Sequence, residues 1–435
     1  MTNLNQSGLF QAGDTAWVLT CAALVLFMTP GLALFYGGMV RVRNVLTMLM
    51  QNFFAMGLVT VLWVLAGYAF AFGRDDGWGI IGSPGAIGLR NLEVGPLPAM
   101  HVVVPGVAIP TLAFVAYQMM FAVITPALIT GATADRLKFA GWAVLLGAWS
   151  IIVYAPVAHW LFSPSGWLAK LGAQDWAGGL VVHASAGAAA LAVLVVVGNR
   201  KDWPTKLPST SSIPLVVLGT GILWFGWFGF NAGDGLMANG IAAQALLNTA
   251  TAGAAAMLAW LVVEKITDGY PTVMGGACGA VAGLATITPC AGYVSAMSGL
   301  GIGVVAGVVC SLALRLKVIF KFDDALDVIA VHFVGGILGT LLLGLVGSTA
   351  INDIGANGLF LGGGFGLLGK QALATVTVVV YSFVVTWIIA MIIQKTMGLR
   401  VDPGDEDNLD LTQQGSLAYS FEQLADEIRS HVGGK

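Results

Sequence analysis

The chain is 435 residues long, 57% of them hydrophobic and 9% charged, with 19 basic residues against 22 acidic ones and a formal charge of −3. A soluble domain carries roughly 25% charged residues, so an ordinary water-facing surface is excluded and most of the exterior must face lipid. The slight acidic balance gives no basis for nucleic-acid binding, and Cys21, Cys278, Cys290 and Cys310 lie in apolar stretches without metal or redox spacing.

The opening residues, MTNLNQSGLFQAGD, lack the basic segment and apolar core that mark a cleavable signal. Apolar runs of roughly 20 residues, the length that crosses a bilayer, then predict spans at 15–37, 46–72, 107–132, 139–162 and 176–199. A second set follows at 213–232, 239–263, 273–289, 295–315 and 327–348, and a last one at 372–396. The run at 273–289 is short and rich in glycine. Loop charges test this order. Arg41, Arg43, Arg136, Lys138, Arg200, Lys201, Lys206, Lys265, Arg315, Lys317, Lys321, Lys395 and Arg400 fall on one side, and Arg74, Arg90, Lys170 and Lys370 on the other. The positive-inside rule makes the first side cytoplasmic. The chain is therefore expected to be an all-α integral membrane protein with its N-terminus outside and its C-terminus inside. A short extracytoplasmic N-terminus occupies 1–14, a membrane domain 15–396 and a cytoplasmic tail 397–435.

Eleven spans divide into two groups of five with one left over. An odd number per half forces the halves to insert with opposite topology, an arrangement that transporters use to build a site at the midplane. His183 falls in the fifth span and His332 in the tenth, in the strings DWAGGLVVHASAG and DVIAVHFVGG. Each has an aspartate ahead of it, Asp175 and Asp327. An intramembrane imidazole is costly unless it meets a polar partner or a pore. Matched histidines at equivalent places mark a conduction site; the plainer alternative is two unrelated rings, each bonded to a neighbouring helix.

Phe121 in AYQMMFAVITP, and Trp227, Phe230 and Asp234 in GWFGFNAGDG, fall toward predicted outer ends. Aromatic faces attract cations by about 0.5–2 kcal/mol, and a nearby carboxylate raises the local cation concentration. One such aromatic alone would read as an interfacial belt residue. Asp175 reads equally well as the N-cap of the fifth span or as a cation ligand. Together the cluster reads as a cation vestibule. His101, His159 and His431, in loops or near interfaces, read as ordinary surface residues.

The strings FMTPGLALFYGGMVRVRNVL, AYQMMFAVITPALITGATADRLKF, DWAGGLVVH, GWFGFNAGDGLMANGIAAQALLNT, ITPCAGYV and DDALDVIAVHFVGGILGT resemble, in this order, the ammonium transporter family (Amt/Mep, with the Rh proteins as cousins). The likeness runs from about Asp14 to about Tyr419. It implies an eleven-helix fold of two inverted five-helix repeats plus a last helix, a homotrimer with one pore per subunit, and transport of ammonium or methylammonium across the plasma (inner) membrane without a cofactor. By resemblance, His183 and His332 are the pore's twin histidines and proton relay, and Phe121 and Phe230 are the stacked gate. Trp227 and Phe121 then belong to the outer ammonium site, and Asp175 is the buried aspartate needed for ammonium binding. Neutral imidazoles can donate to and accept from ammonia. A site that strips a proton from ammonium also rejects potassium, which has none to give.

Two departures fall in the vestibule. Asp234 stands where many members carry serine, and Phe162, in AHWLFSPSGW, where tryptophan is common. Both bear on outer-site affinity rather than on the pore. In the tail, GLRVDPGDEDNLDL resembles the family's tail start, with Arg400 and Asp410 in the expected places. Gln414 and Ser416 replace the usual histidine and glutamate of its ending. Phe421, Leu424, Ala425 and Ile428 beyond it would share one helical face. The resemblance makes a PII-type signalling protein a plausible cytoplasmic partner. Two alternatives to transport remain. One is an ammonium sensor acting through a separate partner. The other is a bis-histidine haem protein, which would be coloured when purified.

Overall fold

The computed structural model describes residues 10–75, 77–90, 92, 106–205 and 209–419. Backbone groups in lipid must be satisfied within the segment, and the described chain is accordingly helical, with no strand beyond a single bridge between Leu137 and Arg400. Among the described residues ten helices are long and apolar enough to cross a membrane: α1 Ala12–Met39, α2 Val42–Phe72, α3 Thr111–Ala132, α4 Phe139–Leu171, α5 Gly179–Val197, α6 Ile213–Gly233, α7 Gly240–Thr267, α9 Ala296–Ile319, α10 Ile329–Val346 and α11 Gly366–Thr396. Between α7 and α9 lies α8, Val273–Ile287, apolar but only 15 residues long. At 1.5 Å per residue such a helix reaches about 22 Å, short of a hydrocarbon core of about 30 Å.

The helices pack in a few extended pairs. The first helix of one half, α1, lies along the first of the other, α6, while α7 packs on α8 and α9, and α11 packs on α5. The helices that carry the histidines cross at the centre. Gly187 follows His183 by one turn, and Gly336 follows His332 by one turn. A Cβ added to Gly187 would sit 2.4 Å from the Cβ of Phe333, and one added to Gly336 would sit 2.9 Å from the Cβ of His183. Small residues on both sides therefore bring the two helix backbones close enough for the rings to meet. Each histidine also lies in a widened turn. Gly179–Ala184 and Ile329–Val334 bond five residues apart, with the His183 N–H donating to the Gly178 carbonyl at 3.0 Å. Single π-type turns of this kind are frequent at functional sites.

Four of the basic residues placed on one side by sequence, Arg136, Arg200, Lys201 and Arg400, join one ion-pair cluster. Arg200 donates to both oxygens of Asp323, at 2.8 and 2.7 Å, and also to Asp135 at 3.2 Å. Arg136 lies 3.3 Å from Asp323, and Lys201 reaches Asp407 at 2.8 Å. The start of the tail is woven into this cluster. Arg400 pairs with Glu406, and Asn44 accepts from the Leu409 N–H at 2.9 Å while donating to Asp135. A short helix, α12 (Leu409–Gln414), carries Asp410, which accepts the Leu46 and Thr47 N–H groups at 3.0 and 2.8 Å. Asp410, supplied by the tail, thus caps the α-helical part of α2 that begins at Val45. Asp410→Ala is expected to lower the melting temperature of the purified protein by an amount corresponding to about 1–2 kcal/mol; an unchanged melting curve would detach the tail from the stability of the membrane domain. The predicted amphipathic face at Phe421–Ile428 lies outside the described residues, as do His101 and His431.

Candidate functional site

The rings of His183 and His332 meet in the buried centre. Their Nδ1 atoms are 3.2 Å apart, their centroids 5.2 Å apart, and their planes differ by 20°. One Nδ1 donates and the other accepts, so in a neutral pair one outward Nε2 carries a hydrogen and the other a lone pair. The Nε2 of His183 is buried and has no partner in the protein. Because the rings bond each other directly, no planar macrocycle fits between them as it would between axial haem ligands. Among the described residues no group of three or more histidines, cysteines or carboxylates is placed to hold a metal ion.

A column of aromatic rings leads away from His183. Phe230 lies 6.1 Å from it, and Phe121 stacks on Phe230 with centroids 4.2 Å apart. Phe162 meets Phe121 edge-on at 6.5 Å. Trp227 stacks on His183 at 5.4 Å and donates its indole N–H to Thr288 at 2.9 Å. This places Trp227 beside His183 and outside the lining of the acidic cavity, where the resemblance would have put it. The helical period explains the difference. Trp227, Phe230 and Asp234 share one face of α6 at steps of three and four, so Trp227 sits about 10 Å deeper than Asp234.

Beyond the rings is a cavity of about 140 Å³ lined by Gln118, Phe162, Asp175, Trp176, Asp234 and Tyr293, among others. Two carboxylates face it with unequal support. Asp175 accepts four backbone N–H groups, from Gly178 at 3.1 Å, Gly179 at 2.6 Å, Leu180 at 2.8 Å and Val181 at 3.0 Å. It therefore caps α5 while lining the cavity. Burial pushes its carboxyl up, and the four donors pull it back. Asp234 follows the last residue of α6 and has only Gln118 as a side-chain donor. Its Oδ1 is shielded from solvent and accepts nothing. Burial, followed by the charge of Asp175, pushes the Asp234 carboxyl well above the usual range.

The opposite end of the histidine column has a partner for Asp175 that the sequence reading assigned to the wrong residue. Asp324 accepts the Val328 and Ile329 N–H groups at 3.1 and 2.7 Å, capping α10 as Asp175 caps α5. Asp327 instead pairs with Lys317 at 2.5 Å. The usable signal was spacing: Asp175 precedes His183 by eight positions, and Asp324 precedes His332 by eight, whereas Asp327 precedes it by five. A second cavity, of about 170 Å³, is lined by Lys317, Asp323, Asp327 and Arg200 among others. The two cavities thus differ in charge compensation, since the carboxylates of the second have cationic partners. His159 also departs from expectation. It is fully buried, with Nδ1 2.8 Å from the Ala71 carbonyl and Nε2 3.9 Å from Asp75.

A profile of the Ammonium Transporter Family matches residues 16–419. The chain is similar to the ammonium transporter of Mycobacterium tuberculosis, with 48% identity over 438 positions covering 95% of this chain and 91% of that protein. It is similar to the ammonium transporter of Bacillus subtilis, with 42% identity over 411 positions covering 94% and 99%. Among solved structures it resembles the crystal structure of Saccharomyces cerevisiae Mep2, with a TM-score of 0.84 and 33% identity, covering 92% of this chain and 89% of that chain.

Proposed function

Because the chain belongs to the ammonium transporter family, we propose that it recruits ammonium at the cavity faced by Asp175 and Asp234, deprotonates it, and passes ammonia along the column from Phe121 to His332. The observation that carries this reading is the unbroken line of rings. Phe162, Phe121, Phe230, His183 and His332 connect the acidic cavity to the centre of the bundle.

The cavity suits a small cation. Two carboxylates provide attraction in a site of reduced dielectric, and the face of Phe162 adds a cation–π wall. Trp227 supports the column from beside His183 rather than binding the cation itself. The stacked pair Phe121 and Phe230 leaves no polar group to replace a cation's hydration, so an ion keeping its charge meets a steep desolvation barrier. Ammonia meets a much lower one. Past the gate, a lone pair and an N–H on the two imidazoles match ammonia's own donor and acceptor capacity. The hydrogen-bonded Nδ1 pair also offers a route for the proton left behind. At the inner end Lys317 neutralises Asp327, which disfavours retention of a cation there.

We place this protein in the plasma (inner) membrane. It has eleven spans, with the short α8 counted as one, an outer N-terminus, a cytoplasmic tail from 397 onward and a homotrimeric assembly. A PII-type protein at the tail is the partner that the family suggests, and nitrogen uptake is the physiological role. In proteoliposomes given a rapid ammonium jump, a saturable transient current that potassium does not evoke is the expected result. Saturable internal alkalinisation without current would restrict the reading to neutral ammonia passage. Neither signal above protein-free liposomes would defeat it.

A further inference from the structure

The unequal support of the two vestibule carboxylates has a consequence for how a cation binds. Asp175 has four backbone donors and the positive end of α5 beside it. Asp234 has one neutral donor, an unpartnered Oδ1, and a place just past the C-terminus of α6, where the helix field is negative. The last carbonyls of α6 are met by neutral donors: Tyr117 on Gly229 and Phe230, Trp176 on Asn231, and Trp17 on Ala232. Tyr154 and Tyr293 are the other titratable groups that feel its charge. No lysine, arginine or histidine is among the described residues lining the cavity. Two lysines lie outside that lining, Lys370 against Gly172 and Lys170 4.0 Å from Asp75.

Two carboxylates in one small cavity do not both stay ionised cheaply, and the proton goes to the one with less hydrogen-bond support. We infer that Asp234 holds a proton while the vestibule is empty and releases it to the outer solution when ammonium enters, so that recruitment of the cation is linked to loss of one proton. The O–H bond of Asp234 breaks and its proton leaves to external water. The ammonium ion keeps all four N–H bonds at this stage and balances the new carboxylate. This inference rests on the vestibule being the ammonium site. The serine that many relatives carry at this position by resemblance would have no such proton to exchange.

By linkage, protons and ammonium compete. Below the proton-binding range of empty Asp234, the half-saturating ammonium concentration should rise by up to about tenfold per unit of falling external pH. The test is the half-saturation constant in proteoliposomes between about pH 5 and about pH 7.5, where ammonium itself stays protonated. The wild-type protein is expected to weaken toward acid, Asp234→Asn and Asp234→Ser to give flat profiles, and Asp234→Glu to keep a slope. A second readout is direct: ammonium chloride added to lightly buffered purified protein should release protons in the wild type and not in Asp234→Ser. A flat wild-type profile, or the same slope in Asp234→Asn, overturns the inference while leaving transport intact. Absence of any saturable transport in the wild type would instead overturn the vestibule reading on which it rests.

Discussion

Replacing His332 by alanine is expected to cut saturable ammonium transport by about 10–100-fold, the equivalent of one buried hydrogen-bond partner lost at about 1–3 kcal/mol. In the intact protein the Nδ1 atoms of His183 and His332 satisfy each other at 3.2 Å. Without His332, His183 keeps a buried Nδ1 with nothing to bond, beside an Nε2 that already lacks a protein partner. The truncation also empties a volume next to polar atoms, and a void of that kind admits water when it offers at least two partners. A hydrated passage would solvate potassium as readily as ammonium. The remaining flux should therefore lose its discrimination against potassium, measured as the ratio of currents after matched ammonium and potassium jumps. Full wild-type rate with full selectivity in this variant would remove the twin histidines from the conduction path.

Much of this architecture is legible before any coordinates. Apolar runs of membrane length have few other uses, so the predicted spans fall within a few residues of most of the helices, the exceptions being α4, which runs on nine residues past 162 to Leu171, and α11, which starts six residues before 372 at Gly366. Paired histidines in such runs demand a shared explanation, and the structure brings them into direct contact. What escaped was three-dimensional in origin. Asp324 and Asp327 both precede His332, and proximity in sequence favoured the wrong one; only the backbone N–H groups of α10 identify the cap. Trp227 looked like an outer aromatic because it neighbours Phe230 and Asp234 in the chain, yet one helical turn separates each member of that series in depth. His159 lay near a predicted span end and read as exposed, whereas its ring is buried between the Ala71 carbonyl and Asp75. Gln118 carries no sequence signal at all, since a single glutamine in an apolar run is common, and its role comes from facing Asp234.

Asp175→Asn should be the more damaging vestibule substitution, lowering transport by about 100-fold or more if the loss of two backbone hydrogen bonds at about 1–3 kcal/mol each is transmitted to the pore. The carboxylate uses two oxygens to accept four N–H groups. An amide has one oxygen to accept two of them, and its NH2 group would face the other two donors head-on. The residues deprived of a partner, Gly178–Val181, open the widened turn that carries His183. Loss of the cap therefore acts on ring position as well as on vestibule charge, and the two effects separate kinetically. A ligand role alone would raise the half-saturating ammonium concentration and leave the maximal rate; a positioning role lowers the maximal rate. The geometry argues for the second, because every lone pair of Asp175 already faces a backbone donor. Asp324→Asn is the natural comparison. Asp324 accepts only two N–H groups, one on each oxygen, so an amide there forfeits one bond rather than two and a milder fall is expected. Equal and small effects at both positions would deny Asp175 its structural part in conduction.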